Sequence, residues 1–103
     1  IRGAVASWSK TLANELGQFG ITVNNVLPGF TATDRLEDIV SNAANRMNKT
    51  EKEASEFMKS LVPARRFAQP GEIANAVAFL ASEAASYING INLPVDGGRT
   101  KSL

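Results

Sequence analysis

Two β-branched runs separated by helical sequence constrain this chain more than any other feature in it. In Ile21 to Leu27, Ile21 and Val23 alternate with polar neighbours before Val26 and Leu27 close the run at Pro28-Gly29. Ile91, Leu93 and Val95 alternate in the same way and stop at Asp96-Gly97-Gly98. Strands joined through helices must run parallel or nearly so. Parallel sheets need cover on both faces and more than two strands. The pattern therefore predicts an α/β fold, one side of a doubly wound sheet whose remaining strands lie upstream. Pro94 cannot donate to a ladder, so the second strand is expected at a sheet edge.

Four helices are predicted around these strands. Val5, Trp8, Leu12 and Leu16 recur at spacings of three and four from Arg2 onward, with Gly17 and Gly20 as the stop. Leu36, Ile39, Val40, Ala43 and Met47 mark a second helix, with Thr33 or Asp34 as its N-cap. Thr50-Glu51-Lys52-Glu53 fits a capping box for a third, carrying Ala54, Phe57, Met58 and Leu61 and ended by Pro63. Pro70 opens a fourth through Ile73, Ala74, Val77, Ala78 and Leu80, apolar enough to be expected buried.

The chain has neither histidine nor cysteine. That removes the usual general base of serine hydrolases, thiolate nucleophiles and cysteine-based zinc sites, so no metal site is expected. A formal charge of +1 without a basic block gives nucleic-acid binding little support, and no apolar run approaches a membrane span. A cytoplasmic protein is the expectation. At 103 residues a self-sufficient core would be thin. The first residue is Ile and the helical pattern begins at once, so an upstream portion is expected.

In open α/β sheets ligands bind outside the carboxyl ends of the strands, here at Pro28-Gly29. Glycine lets backbone approach a ligand closely, and Thr31 and Thr33 add hydroxyls and N–H groups at the start of the next helix. On spacing alone a plain Pro-Gly turn with Thr33 as a cap is the better fit. Ser7-Trp8-Ser9-Lys10 has the S-x-x-K spacing of penicillin-recognising enzymes but lacks their companion motifs, and Asn48-Lys49-Thr50 is only formally a glycosylation sequon. Glu51, Glu53, Glu56, Lys52 and Lys59 read as a solvated helix face.

Taken together, Thr11-Leu12-Ala13-Asn14-Glu15-Leu16, Gly20-Ile21-Thr22-Val23-Asn24 and Pro28-Gly29-Phe30-Thr31-Ala32-Thr33-Asp34 resemble the short-chain dehydrogenase/reductase family, especially its 3-oxoacyl-reductase-like members. Pro63-Ala64-Arg65-Arg66-Phe67, Pro70-Gly71-Glu72-Ile73-Ala74, Phe79-Leu80-Ala81-Ser82, Gly90 and Val95-Asp96-Gly97-Gly98 are similar to its later landmarks, in the same order. The likeness covers nearly the whole chain and is weakest at 37 to 60.

The resemblance implies that residues 1–103 are the C-terminal part of a single Rossmann-type domain whose cofactor-binding half lies upstream. It implies an NAD(P)-dependent oxidoreductase in which a Ser and a Tyr act on a carbonyl or alcohol while the nicotinamide exchanges hydride. That pair would precede Ile1. The family's Y-x-x-x-K motif would set its Lys at position 2, where this chain has Arg2, keeping the charge but offering a planar fork. Pro28, Gly29, Thr31 and Thr33 would flank the nicotinamide, with the Thr31 backbone and the Thr33 hydroxyl on its carboxamide. Residues 34–62 would form a substrate lid bearing Leu36, Ile39, Phe57 and Met58. NAD and NADP both remain open, because the residue that reads the ribose lies upstream. The implied partners are a small carbonyl or alcohol substrate, the upstream half of the same protein, and a second copy in a dimer or tetramer; Trp8 suits either the core or that contact. The alternative is a non-catalytic member of the fold that binds a ligand or forms oligomers.

Overall fold

The computed structural model describes residues 2–101, with Arg2 described by its backbone alone. Helix α1 (Arg2–Leu16) ends in a short 3-10 turn at Gly17–Phe19, and strand β1 (Asn25–Pro28) leads to helices α2 (Asp34–Met47) and α3 (Glu51–Ser60). Helix α4 (Pro70–Leu80) and a second 3-10 turn at Glu83–Ala85 precede strand β2 (Asn92–Val95). β1 and β2 pair in parallel with Pro28 opposite Val95. Asn25 N–H donates to the Ile91 carbonyl and Gly29 N–H to that of Val95. Odd-numbered residues of β2 therefore face β1, which puts the nitrogen of Pro94 on the outer edge, where no ladder bond is lost.

Local chemistry sets the helix ends. The Thr33 hydroxyl accepts from Leu36 N–H at 3.4 Å and caps α2, deciding between the two expected caps for Thr33. Thr50 and Glu53 form the expected reciprocal box at the start of α3, with bonds of 3.1 and 3.0 Å. That pairing holds the Glu53 carboxyl below its ordinary range. Asn48, at φ 54°, ends α2 in the left-handed conformation. Helix α3 stops at Ser60, short of Pro63, and Val62 beyond it is buried.

Two expectations, on the first strand and on α4, are corrected, and the face that α1 buries is identified. The first strand does not begin at Ile21. Val23 N–H donates to the Asn89 side chain, Asn24 bonds the Ile88 carbonyl and Ile91 N–H, and Gly90 N–H donates to the Val23 carbonyl. Asparagine side chains thus replace the ladder over these residues, and pairing starts only at Asn25. Helix α1 does not bury Val5 and Trp8, which is 64% exposed; its buried residues are Ser9 and Ala13. Ser9 bonds the Asn25 side chain at 3.1 Å, and the Ala13 carbonyl accepts from Asn89 at 3.0 Å, so small residues face the strand region. Helix α4 is not buried either: it packs on both strands, yet Val77 and Phe79 stay about half exposed.

The reason is where the core sits. Leu36, Ala43 and Ala44 of α2 meet Ala54 and Met58 of α3, with Phe30, Val40, Met47 and Phe67 packed against them. The helical hairpin thus has its own core, while two four-residue strands are too narrow to cover α4. The molecule measures 54 × 26 × 24 Å with a radius of gyration of 16.6 Å; a compact chain of this length has about 13 Å. Between α1 and β1 lies an apolar hollow of about 460 Å³ lined by Val5, Ala6, Val26 and Leu27.

Candidate functional site

Because β1 and β2 are parallel and in register, both carboxyl ends open on the same edge. A groove of about 430 Å³ lies there. Pro28, Gly29, Thr31 and Thr33 all line it, together with Leu36 and Ile39 of α2. Phe57 and Met58 do not line it; Met58 is buried in the hairpin core and Phe57 is exposed. Arg2 opens α1, and its side chain lies outside the described residues.

Gly29 is set by packing. A Cβ there would fall 2.8 Å from both Cα and Cβ of Asp96, a spacing that real Cβ atoms do not tolerate against backbone. Thr31 forms a parallel bridge with Ala68: Ala68 N–H donates to the Phe30 carbonyl at 2.9 Å and Ala32 N–H to the Ala68 carbonyl at 2.8 Å. By the alternation of a strand, the N–H and C=O of Thr31 itself point away from Ala68. Its hydroxyl donates to the Gly29 carbonyl at 3.0 Å. The Thr33 hydroxyl, besides capping α2, donates to the Thr31 carbonyl at 3.4 Å. These bonds fix the 29–33 turn and leave the Thr31 N–H as its outward donor.

Three lining residues beyond the expected set come from the turn after β2: Asp96, Arg99 and Thr100. The Asp96 carboxylate accepts from Gly98 N–H at 3.0 Å and Thr100 N–H at 2.9 Å. Bonding to Thr100, then to the backbone of the turn, holds its carboxyl below the ordinary aspartate range against a smaller desolvation effect. It remains a carboxylate committed to the turn, so it supplies no proton at neutral pH. A sequence signal for these residues existed: in a parallel pair the residues following either strand share one edge, and Asp96 follows β2 as Gly29 follows β1.

The segment leaving α3 is pinned to the same turn. Ala64 N–H donates to the Gly97 carbonyl at 3.1 Å, and Gly97, at φ 65°, would carry a Cβ 2.8 Å from Val62 Cγ1. Arg66 then clasps Glu72 with two bonds of 2.6 and 2.8 Å, and Gln69 N–H adds a third to the same carboxylate. The Glu72 carboxyl is lowered to about 2, chiefly by Arg66. Stretches far apart in sequence, 62–66 and 95–98, therefore form one support beside the groove.

With this geometry in view, the chain matches over residues 1–100 the family model described as enoyl-(acyl carrier protein) reductase. It belongs to the short-chain dehydrogenase/reductase family. It is 39% identical over 103 residues to the NADPH-dependent reductase BacG of Bacillus subtilis, covering 100% of this chain and 40% of that protein. With the 3-oxoacyl-[acyl-carrier-protein] reductase FabG of Haemophilus influenzae it shares 43% identity over 97 residues, 94% of this chain and 36% of that one. The crystal structure of YwfH, described as an NADPH dependent reductase involved in bacilysin biosynthesis, superimposes with a TM-score of 0.90 at 40% identity, covering 98% of this chain and 38% of that one. The α/β architecture is thus that of a Rossmann-type sheet, and the chain spans about two fifths of the length of the curated relatives it matches.

Proposed function

We propose that the chain forms the C-terminal part of an NAD(P)-dependent oxidoreductase that interconverts a carbonyl and an alcohol. The observation that carries this reading is the gathering of Pro28, Gly29, Thr31 and Thr33 around one groove at the carboxyl ends of two parallel strands. The outward Thr31 N–H suits an amide carbonyl such as that of nicotinamide, and Pro28 and Gly29 form a wall without long side chains. Thr33 reaches the carboxamide only by sharing its hydroxyl with the α2 cap. When bound, NAD or NADP supplies or accepts the hydride. The residues described here bind and orient it, and the α2–α3 hairpin acts as a lid that excludes water.

As the family resemblance implies, proton transfer would fall to a Ser and a Tyr upstream; Asp96 is committed to its turn and does not supply it. Arg2, at the family's lysine position, would hold the ribose and lower the pKa of that Tyr. The upstream half of the same protein would fill the hollow between α1 and β1 and cover the exposed face of α4. Exposed Trp8 suits an anchor between copies in a dimer or tetramer. One observation favours a second reading, a non-catalytic member of the fold: Arg2 replaces the compact ammonium that the chemistry uses.

Oxidation of NADH and NADPH by the full-length protein, with ketones and 3-oxoacyl thioesters, separates the two. Turnover supports the oxidoreductase with arginine sufficing. Activity gained only in Arg2→Lys makes position 2 the defect, and silence in both variants favours the non-catalytic reading.

A further inference from the structure

Two guanidinium groups line the groove and have no task in the reading above. Arg99 stands on the turn after β2 and Arg35 in the first turn of α2. Among the described residues the ion pairs are Lys59 with Glu56 and Arg66 with Glu72, so neither arginine has a carboxylate partner there. Asp96, the acid of the groove, spends its oxygens on Gly98 and Thr100. Asp34 and Glu37, which share the first turn of α2 with Arg35, line a different hollow between α2 and α3.

Arg99 is also held in place. Its guanidinium lies 4.3 Å from the centre of the Phe30 ring, and Phe30 meets Phe67 edge-on at 6.0 Å and 80°. Stacking occupies the face of a guanidinium and leaves its N–H edge for an acceptor. A cation fixed on the wall, a second on the opposing hairpin, and the N-terminal end of α2 outweigh the single Asp96 carboxylate, whose oxygens already accept from the turn.

Resting on the oxidoreductase reading, we propose that the substrate carries an anionic group, a carboxylate or a phosphate, bound by Arg99 and Arg35. The arginines share the groove with Leu36 and Ile39, so the charged end sits beside an apolar wall of the hairpin. A planar fork on a carboxylate or phosphate gives paired hydrogen bonds that a neutral analogue cannot accept.

The test uses the full-length protein and matched pairs that differ in charge: acetoacetate against methyl acetoacetate, and dihydroxyacetone phosphate against dihydroxyacetone. Calorimetric binding is measured beside turnover. The charged member of at least one pair is expected to bind and react better by about tenfold, and Arg99→Gln and Arg35→Gln each to remove about that factor. The neutral member should change by less than about twofold, with the denaturation midpoint unchanged and Arg99→Lys restoring part of the loss. Equal effects on both members of each pair, or preference for the neutral ones, overturn the proposal. A raised KM for the cofactor with an unchanged substrate KM assigns the arginines to the cofactor's phosphates and overturns it as well. Charge-dependent binding lost in the glutamine variants, without turnover of any compound, supports the anion site while counting against the oxidoreductase reading.

Discussion

Gly29 and Asp96, the first residues past the two paired strands, are so close that a single methyl group on Gly29 would overlap the Asp96 backbone at 2.8 Å. No rotamer change relieves a clash with backbone, so the strand ends must part. Gly29→Ala is expected to destabilise the protein by about 1–3 kcal/mol. Denaturant midpoints of the full-length protein check this, and a midpoint equal to the parent's would show that the turns separate freely.

Thr33 uses one hydroxyl for two bonds, accepting from Leu36 N–H and donating to the Thr31 carbonyl. Thr33→Val keeps the shape and loses both, costing about 1 kcal/mol; Thr33→Ser keeps both. The valine variant should show faster amide exchange in the first turn of α2 and, if the proposed nicotinamide contact is right, a higher cofactor KM. A serine variant as impaired as the valine one would contradict the capping assignment.

Gly97 sits at φ 65° with Val62 and Ala64 against it. Gly97→Ala meets both a left-handed backbone and a contact of 2.8 Å to Val62 Cγ1, for an expected loss of about 1–3 kcal/mol. Since Ala64 N–H bonds the Gly97 carbonyl, exchange at Ala64 should accelerate more than exchange in α1. Uniform acceleration across the chain would argue against a local clamp.

The Arg66–Glu72 clasp carries a pH signature. In the folded protein the Glu72 carboxyl is lowered from its ordinary value of 4.5 to about 2. A group whose folded pKa is depressed contributes fully above the ordinary value and loses that contribution as pH falls toward the folded one. Stability should therefore fall between about pH 4.5 and 2, and Glu72→Gln should flatten this part of the profile. Both side chains are exposed, so added salt should shrink the difference. An acid profile unchanged by Glu72→Gln would remove the clasp from the stability of α4.

What could be read from the sequence follows the range of the forces involved. The ends of α2, α3 and α4 were legible because Thr33, Thr50 with Glu53, and Pro70 act within one turn of themselves. The face of α1 was not: periodicity shows a stripe of Val5, Trp8 and Leu12 but not what it meets, and the strand side is taken by Ser9 and Ala13 through bonds to Asn25 and Asn89. Residues 21–24 read as strand by composition, yet Asn89 and Gly90 claim their hydrogen bonds from a distant segment. The contiguous turn at Pro28 to Thr33 could be proposed from local order, whereas Arg99 and Thr100 reach the same groove only through the register of two strands.

The bridge between Thr31 and Ala68, with Ala64 held to the Gly97 carbonyl just before it, means that the chain leaves the sheet edge and returns to it beside its point of departure. Everything between is a closed excursion with a core of its own. Such an excursion behaves as an exchangeable cassette: its sequence and length can drift, or be replaced by design, while the strands beneath keep their pairing and only the roof over the groove changes.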